Sequence, residues 1–415
     1  MTPRRFSDPP TRSAWPRTAV LAVAVVLAAV VAGCGGSERA PEAPRPTVDA
    51  PPGPAPQQRL GASEARLMLL APPGHAERGA TEPGVDWVTR FEQRTGCQVS
   101  VRTLRPDDDA VALLRSGRYD AAAVPGDVAV PLISGGVVAP LNLRLIPNQR
   151  DVFKGLRESE FTSAEGRAYG VPEGRAANVL AWRKDKIPGS LSRSDAVYEP
   201  AQIQPYRGRI TAAAGPIAIA DAAVWLMANR KELAITNPYE LDAKQFRAAV
   251  DLVAEQQDAL GAAWTTAAQA RDAMTQGDVV LGIVPQGVGY ELKTRRPSLK
   301  VEFTLPREGA TGVAETWMLA ANAKHPNCAY RWMNHVLSPQ ADAQAAAFLG
   351  QAPATRRACE LDVAKDACDA FHAGDEDFWS RVWLQTAPRR DCGDDRGAVC
   401  KDAGDWAQAW TEVGA

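Results

Sequence analysis

The sequence predicts an α/β fold made of two halves, each a mostly parallel sheet flanked by helices. Short apolar runs of strand length alternate with amphipathic segments of helix length from Ser63 onward, and this rhythm restarts after residue 175 without a repeat of fixed period. Strands separated by helices of this length are typical of βαβ units and a parallel sheet. A chain of 415 residues also suits two or three domains better than one compact unit.

The elements of the first half follow from apolar spacing and from signals at helix ends. Three consecutive carboxylates, Asp107 to Asp109, precede an apolar helical face, and acidic residues favour the amino end of a helix. A Thr95-Gly96 pair ends the helix before it. The predicted elements are, in order, a strand at 66–70, a helix over 85–95, a strand at 99–101, a helix over 107–117 and a strand at 119–124.

The second half repeats this alternation. Pro216 stands at the start of an apolar helical segment, and proline is favoured in the first turn of a helix. The predicted strands lie at 179–182, 209–213, 279–284, 301–305 and 317–320, and the predicted helices at 216–229, 242–259, 265–276 and 326–337.

The amino terminus carries the features of an export signal. A basic segment precedes the apolar run Ala19–Gly33, which has 15 residues where a bilayer-spanning helix needs about 20. The run ends in Val31-Ala32-Gly33-Cys34, which resembles the lipobox of bacterial lipoproteins. We expect a signal peptide over 1–33, a lipid on Cys34 and a proline-rich linker over 34–62. A plain cleaved signal remains the alternative, and Arg4-Arg5 leaves Sec and twin-arginine export both open.

The cysteines predict a disulfide framework. With Cys34 reserved for lipid, six remain: Cys97, Cys328, Cys359, Cys368, Cys392 and Cys400. Exported proteins occupy compartments where disulfides persist. Six thiols allow 15 pairings; we favour the two short tail loops, Cys359–Cys368 and Cys392–Cys400, and obtain Cys97–Cys328 by elimination. No paired spacing of cysteines or histidines indicates zinc, so no metal or cofactor is predicted.

Composition and motifs argue against two other function classes. The formal net charge is −2 and no basic cluster stands out, whereas nucleic-acid binding needs a concentrated positive surface. The sequence contains no GxSxG or HExxH motif and no GxxxxGK[ST] loop, so we predict neither an enzyme nor ATP hydrolysis within this chain. A secreted lipoprotein enzyme with a dispersed catalytic set stays as a lesser alternative.

Four segments, taken in order, resemble the extracellular solute-binding proteins of ABC importers, in the spermidine/putrescine-binding branch. They are YGVPEGRAAN at 169–178, MTQGDVVLG at 274–282, PREGATGVAETW at 306–317 and KHPNCAY at 324–330. The similarity covers roughly residues 64–358. It implies a two-lobed periplasmic-binding-protein-like fold of type II, with lobe one over 63–171 plus 304–415 and lobe two over 172–303.

The resemblance also implies a function and its partners. The two lobes would close on a small solute, and the loaded protein would dock on ABC permease subunits served by a separate ATPase. We expect a monomer held by its lipid on the outer face of the bacterial cell membrane. A ligand sensor that keeps the same fold without transport is the main alternative.

Residues at the motif positions are the candidate ligand-binding set. Turns after the first and third strands supply His75 and Gly126-Asp127, and the later motif supplies an acid; the full set is His75, Gly126, Asp127, Glu173, Arg175, Gln286 and Glu315. Carboxylates suit ammonium groups. Asp127 has a second interpretation as a helix cap, and Arg175 has one as an ion-pair partner of Glu173.

Departures from the branch leave the ligand class open. The aromatic residues expected near the acid and after strand 279–284 are replaced by Val313 and Pro285. Arg175 and the helix amino end at Pro216 suit an anionic group instead. A polyamine-like solute and a zwitterionic solute, such as an amino acid or betaine, are therefore both candidates.

Overall fold

The structure is a computed structural model that describes residues 50–413 apart from 52, 106, 107, 158 and 395. The predicted signal peptide, Cys34 and the start of the proline-rich linker lie outside the described residues. No helix among the described residues is long and apolar enough to cross a bilayer.

Strands alternate with helices over residues 66–134, as the apolar spacing predicts, whereas residues 163–183 and 301–319 form consecutive strands. The strands are β1 (Arg66–Ala71), β2 (Gln98–Thr103), β3 (Ala121–Val124), β4 (Ser163–Ala164), β5 (Arg167–Ala168), β6 (Gly170–Pro172), β7 (Gly174–Arg183), β8 (Ile210–Ala213), β9 (Leu260–Trp264), β10 (Leu281–Pro285), β11 (Val301–Thr304), β12 (Ala310–Val313), β13 (Thr316–Leu319), β14 (Ala352–Pro353) and β15 (Val382–Leu384).

The helices flank two sheets, and some of them begin with a side-chain cap while others have none. The long helix near residue 243, for example, starts with a capping box between Asp242 and Gln245, which satisfies backbone groups that a helix start leaves free. The helices are α1 (Val88–Thr95), α2 (Ala110–Arg115), α3 (Gly126–Ser134), α4 (Lys154–Arg157), α5 (Asp195–Tyr198), α6 (Pro200–Ile203), α7 (Ile217–Asn229), α8 (Ala243–Gln257), α9 (Ala267–Gln276), α10 (Gln286–Arg295), α11 (Pro326–Val336), α12 (Pro339–Leu349), α13 (Asp362–Ala370), α14 (Glu376–Trp379) and α15 (Ala403–Val413).

The first sheet has the strand order β2-β1-β3-β13-β6. β1 is parallel to both β2 and β3, and the returning strand β13 is antiparallel to β3 and β6. Its core joins apolar residues of these strands, including Trp317 of β13, to Phe91 of α1 and Trp332 of α11. The parallel part puts the ends of β1 and β3 at the same edge of the sheet.

The second sheet has the order β15-β12-β7-β10-β8-β9, and β11 and β14 also pair with β7. β8 is parallel to β9 and β10, while β7 runs antiparallel to β10, β11 and β12. The long β7 therefore organises this sheet. Two apolar clusters pack on it, one with α7, α8 and α15 and one with α9, α10 and the chain around Phe371.

The C-terminal segment differs from its expected place in lobe one. α11 packs with the first core, but β15 joins the second sheet beside β12, and Trp406 of α15 lies in a cluster of the second sheet. Apolar spacing could not predict this placement, because β15 is only three residues long and pairs with β12, a strand that the spacing did not predict either.

Three disulfides among the described residues confirm the favoured pairing. Cys97 bonds to Cys328 across a sequence separation of 231, which ties the start of β2 to α11. In the tail, Cys359 bonds to Cys368 and Cys392 bonds to Cys400.

Candidate functional site

A cavity of about 1000 Å³ is lined by residues of both halves of the protein. On the first-sheet side it reaches the loop after β1, the amino end of α3 and the connection before β13. On the second-sheet side it reaches the ends of β8, β9 and β10. A ligand cleft at the carboxyl ends of strands is what an α/β architecture favours.

Three of the predicted ligand residues line this cavity: His75, Asp127 and Glu315. Parallel pairing explains the first two, because β1 and β3 end at the same edge and each is followed by one of these residues. Glu315 lies in the short connection between β12 and β13, so it belongs to the chain that passes from the second sheet to the first. The fold therefore brings His75, Asp127 and Glu315, which lie far apart in the sequence, to one wall of the cavity.

His75 is a buried cation in this wall. Its Nδ1 lies 2.7 Å from Oε2 of Glu173, and both side chains are buried. Burial alone would lower the pKa of His75, but the charge and hydrogen bond of Glu173, with the charge of Glu315, raise it from 6.5 to about 9. The imidazole is therefore protonated at neutral pH, and Glu173 holds it from behind the wall.

Asp127 and Glu315 present carboxylates to the cavity. Burial raises the pKa of Asp127, and the amide of Gln385 opposes that rise. Burial also raises the pKa of Glu315, with the charge of His75 opposing it and the charge of Glu173 adding to it. Oδ1 of Asp127 is buried without a hydrogen-bond partner among the described residues. Such an oxygen is a strong acceptor for a ligand donor.

Aromatic side chains that the sequence analysis did not single out line the same cavity. The ends of β9 and of the segment before α8 contribute Trp264 and Tyr239, and the tail contributes Trp406; Tyr290, Phe348 and Phe371 line it as well. The cavity therefore has an aromatic lining although Val313 and Pro285 stand where the resemblance implies aromatic residues. Trp264 ends β9, a strand that the apolar spacing did not predict, so only the helix start at Thr266 just after it was a usable signal for this position.

The opposite wall contains polar groups of mixed sign. Gly215, Pro216 and Ile217 at the start of α7 line it, as do Arg271 and Glu291. Arg271 Nη1 lies 3.5 Å from Oε2 of Glu291, so this pair neutralises itself. The amino end of α7 adds the positive end of a helix dipole.

A polar chain also leads from the cavity to a buried acid. Asn178 lines the cavity and donates to Oγ1 of Thr311 at 2.7 Å, and Thr311 in turn donates to Asp221. Burial raises the pKa of Asp221 from 3.8 to about 7, although the hydrogen bond from Thr311 opposes the rise. Burial therefore disfavours the ionised form of Asp221.

The other four predicted ligand residues lie outside the cavity lining. Glu173 stands behind His75. Arg175 donates from Nη2 to the carbonyl of Ala373 at 3.1 Å, and its guanidinium lies 4.0 Å from the centre of the Trp379 ring. Burial lowers the pKa of Arg175 to about 10. This arginine contacts the tail, and no ion pair with Glu173 forms between these described residues.

Gln286 and Gly126 also serve local structure. Nε2 of Gln286 donates to the carbonyl of Ala370 at 3.1 Å. A Cβ placed on Gly126 would lie 2.0 Å from the carbonyl oxygen of Gln385. Glycine is therefore required there because the tail approaches the backbone closely. Among the described residues, no group of three or more His, Cys, Asp or Glu side chains is arranged to hold a metal ion.

A family match fits this two-sided cavity. Residues 86–370 match the family of bacterial extracellular solute-binding proteins. The chain belongs to this family. The predicted recognition is confirmed, and with it solute capture for ABC import as the function. Membership of this family places the protein outside the cytoplasm, and the family consists of proteins that bind small ligands and deliver them to permeases.

Individual relatives of this solute-binding protein agree with the family. A putrescine/cadaverine-binding protein of Pseudomonas aeruginosa is 22% identical over 264 residues, which cover 61% of this chain and 71% of the relative. The spermidine/putrescine ABC transporter substrate-binding protein PotD from Streptococcus pneumoniae has a similar structure, with a TM-score of 0.64 at 15% identity over 84% of this chain and 97% of that one.

A third neighbour shows how the fold recurs with another ligand. The PBP MotA from A. tumefaciens B6, in complex with glucopine, has a TM-score of 0.61 at 16% identity and covers 84% of this chain and 99% of its own. The predicted α/β periplasmic-binding-protein fold is thus confirmed, with sheets of mixed rather than mostly parallel direction.

Proposed function

We propose that this protein binds a small organic amine in the cavity, with its ammonium group held by Asp127 and Glu315. The observation that carries the proposal is that both acids line one cavity together with several aromatic side chains. Ammonium groups pair with carboxylates, and aromatic faces attract cations and pack against methylenes. The name of the Pseudomonas aeruginosa relative, a putrescine/cadaverine-binding protein, supports the same ligand class.

The charges of the wall support a cation over an anion. His75 is the cation of this wall, and its Nδ1 already pairs with Glu173 at 2.7 Å. The carboxylates of Asp127 and Glu315 therefore outnumber the positive charge that the wall offers to a ligand. The unpartnered Oδ1 of Asp127 gains a donor when an ammonium group binds, which offsets the cost of burying that oxygen.

A zwitterionic ligand is the second candidate, because the opposite wall offers groups for a carboxylate. The amino end of α7 and Arg271 both line the cavity. An ω-amino acid would place its ammonium group at Asp127 and Glu315 and its carboxylate at the start of α7. Arg271 is partly neutralised by Glu291 at 3.5 Å, which favours the amine without a carboxylate.

Calorimetric titration with cadaverine, 5-aminopentanoate and glutarate tests the ligand class. We expect cadaverine to bind most tightly, and Asp127→Asn and Glu315→Gln each to weaken it by at least about tenfold, since a hydrogen bond to a charged group contributes roughly 1.5–3 kcal/mol. Glu302→Gln is the matched control, because Glu302 forms a partly exposed pair with Lys293 on the surface. If 5-aminopentanoate binds more tightly and Arg271→Gln weakens only that ligand, the zwitterion is the ligand class. Tight binding of glutarate alone would contradict both.

We also propose that Cys34 carries a lipid that holds a monomeric protein on the outer face of the cell membrane, where it delivers its ligand to ABC permease subunits. The four residues Val31-Ala32-Gly33-Cys34, after an apolar run, support this anchor. Cys34→Ser should move the protein from the membrane fraction to the medium or periplasm. Cell fractionation with immunoblotting measures this, and an unchanged membrane fraction would contradict the anchor.

A further inference from the structure

The C-terminal segment after residue 370 lies beyond the stretch that matches the family. The match covers residues 86–370, whereas the structure describes the chain to residue 413, apart from residue 395 in this stretch. This segment is well ordered by contacts: β15 pairs in parallel with β12, and Gln385 donates its backbone N–H to the carbonyl of Gly312 at 2.8 Å.

The segment touches the first half of the protein next to the predicted ammonium site. The carbonyl of Gln385 lies so close to Gly126 that a Cβ there would be 2.0 Å from it. Ala387 belongs to the core of the first sheet. Nη2 of Arg389 lies 3.3 Å from Oε2 of Glu160. The chain from 385 to 389 is thus fixed beside Asp127.

The same segment touches the second half. Arg389 also lies 3.7 Å from Oε1 of Glu240, and Lys401 donates its backbone N–H to the carbonyl of Leu241 at 2.9 Å. Trp406 packs against Tyr239 and Phe246, with ring centroids 6.4 and 5.8 Å apart. The disulfide Cys392–Cys400 closes the turn between these two sets of contacts.

From residue 385 onward, six residues of this segment line the cavity together with the two halves of the protein: Gln385, Thr386, Ala387, Pro388, Ala403 and Trp406. We propose that these residues, named here the C-terminal wall, determine which ligand the cavity selects, with Trp406 and Tyr239 forming an aromatic face and Gln385 a polar edge beside Asp127. This inference rests on the proposed amine site. The aromatic face favours a chain of methylenes that follows the bound ammonium group, and the polar edge acts on every ligand that reaches Asp127.

Calorimetric titration of the full mature chain with cadaverine and with propylamine tests the wall. Trp406→Leu should lower the affinity for cadaverine by about tenfold, a typical loss for a desolvated cation–π contact. The affinity for propylamine should stay within about twofold of the wild-type value. Trp406→Phe should restore most of the cadaverine affinity. Gln385→Ala should weaken both amines by a similar factor, because Gln385 stands beside the acid that both share.

The matched control for these variants is a second glutamine in the C-terminal segment. Gln408→Ala alters a glutamine of α15 that is exposed and bonded to Glu412, and it should change neither affinity. Thermal melts identify any variant of Trp406 that fails to fold, in which case Gln385→Ala alone decides. The proposed role of the C-terminal wall is refuted if Gln385→Ala leaves both affinities unchanged. It is also refuted if a folded Trp406→Leu keeps the wild-type ratio of cadaverine affinity to propylamine affinity. Those results leave the amine site intact if Asp127→Asn weakens amine binding by at least about tenfold, whereas a wild type that binds neither amine overturns both proposals.

Discussion

The buried pair of His75 and Glu173 should make the stability of the protein depend on pH within a defined range. The folded state raises the pKa of His75 from 6.5 to about 9, and each pKa unit corresponds to ~1.36 kcal/mol. The difference therefore contributes about 3 kcal/mol to the free energy of unfolding. Because the folded pKa is the higher one, this contribution is complete below about pH 6.5 and is lost as the pH rises through about 9.

Glu173→Gln should remove this contribution. Burial lowers the pKa of His75 and the carboxylate of Glu173 is what chiefly opposes burial, so the pKa of His75 falls in the variant. We expect the variant to be less stable than the wild type by about 3 kcal/mol near pH 6, and the difference to shrink toward zero near pH 9.5. The amide of glutamine keeps the size of the side chain, so little of this change reflects packing.

Urea denaturation of both proteins from about pH 6 to about pH 9.5 measures the difference directly. The chain has only four histidines, so proton NMR of the imidazole ring can follow the titration of His75 itself. Glu302→Gln is the control, since its partly exposed pair with Lys293 contributes under about 1 kcal/mol. Parallel stability curves for wild type and Glu173→Gln, or a His75 ring that titrates near 6.5 in the wild type, would refute the reasoning.

Three further changes have outcomes that the structure fixes. Replacing Cys97 and Cys328 by serine should lower the free energy of unfolding by about 5 kcal/mol, because the lost disulfide closes a long loop with a sequence separation of 231. Guanidinium titrations measure this loss, and a loss under about 1 kcal/mol would contradict the prediction. Asp221→Asn should stabilise the protein by about 2–4 kcal/mol near pH 8 and hardly at all near pH 4. Burial raises the pKa of Asp221 to about 7, so ionisation of this side chain disfavours the folded state. Urea titrations at the two pH values measure the difference, and equal effects at both would contradict it. Gly126→Ala should lower the melting temperature and weaken cadaverine binding, because its Cβ would lie 2.0 Å from the carbonyl oxygen of Gln385; unchanged binding would show that the tail moves away freely.

Apolar spacing and helix-end signals predicted those elements whose own side chains determine where they begin and end. The apolar run at β1 and the Thr95-Gly96 stop of α1 each fix an element through its own side chains, and the structure has both. The disulfides were also predictable, because two short spacings in the tail leave one remaining pair. β12 and β15 were missed, since each is held by pairing with a partner strand rather than by its own periodicity.

The site was predictable on one wall only. His75, Asp127 and Glu315 follow or precede strands, and the resemblance to the family marked those positions. Trp406 and Gln385 come from beyond the matched segment, and they reach the cavity through contacts with chain more than a hundred residues away, such as Tyr239 and Gly126. No spacing within the tail encodes such a contact.

The burial of the acids connects the cavity to the charge of its ligand. Burial raises the pKa of both Asp127 and Glu315, which means that ionising them without a partner is unfavourable. A neutral ligand leaves that unfavourable energy in place, and an anion increases it. An ammonium group instead stabilises the ionised form of each acid it contacts, so part of the binding free energy of a cation comes from relieving the wall itself. The two acids are unfavourable to ionise in the unliganded protein, and for the same reason they make the cavity selective for a positively charged ligand.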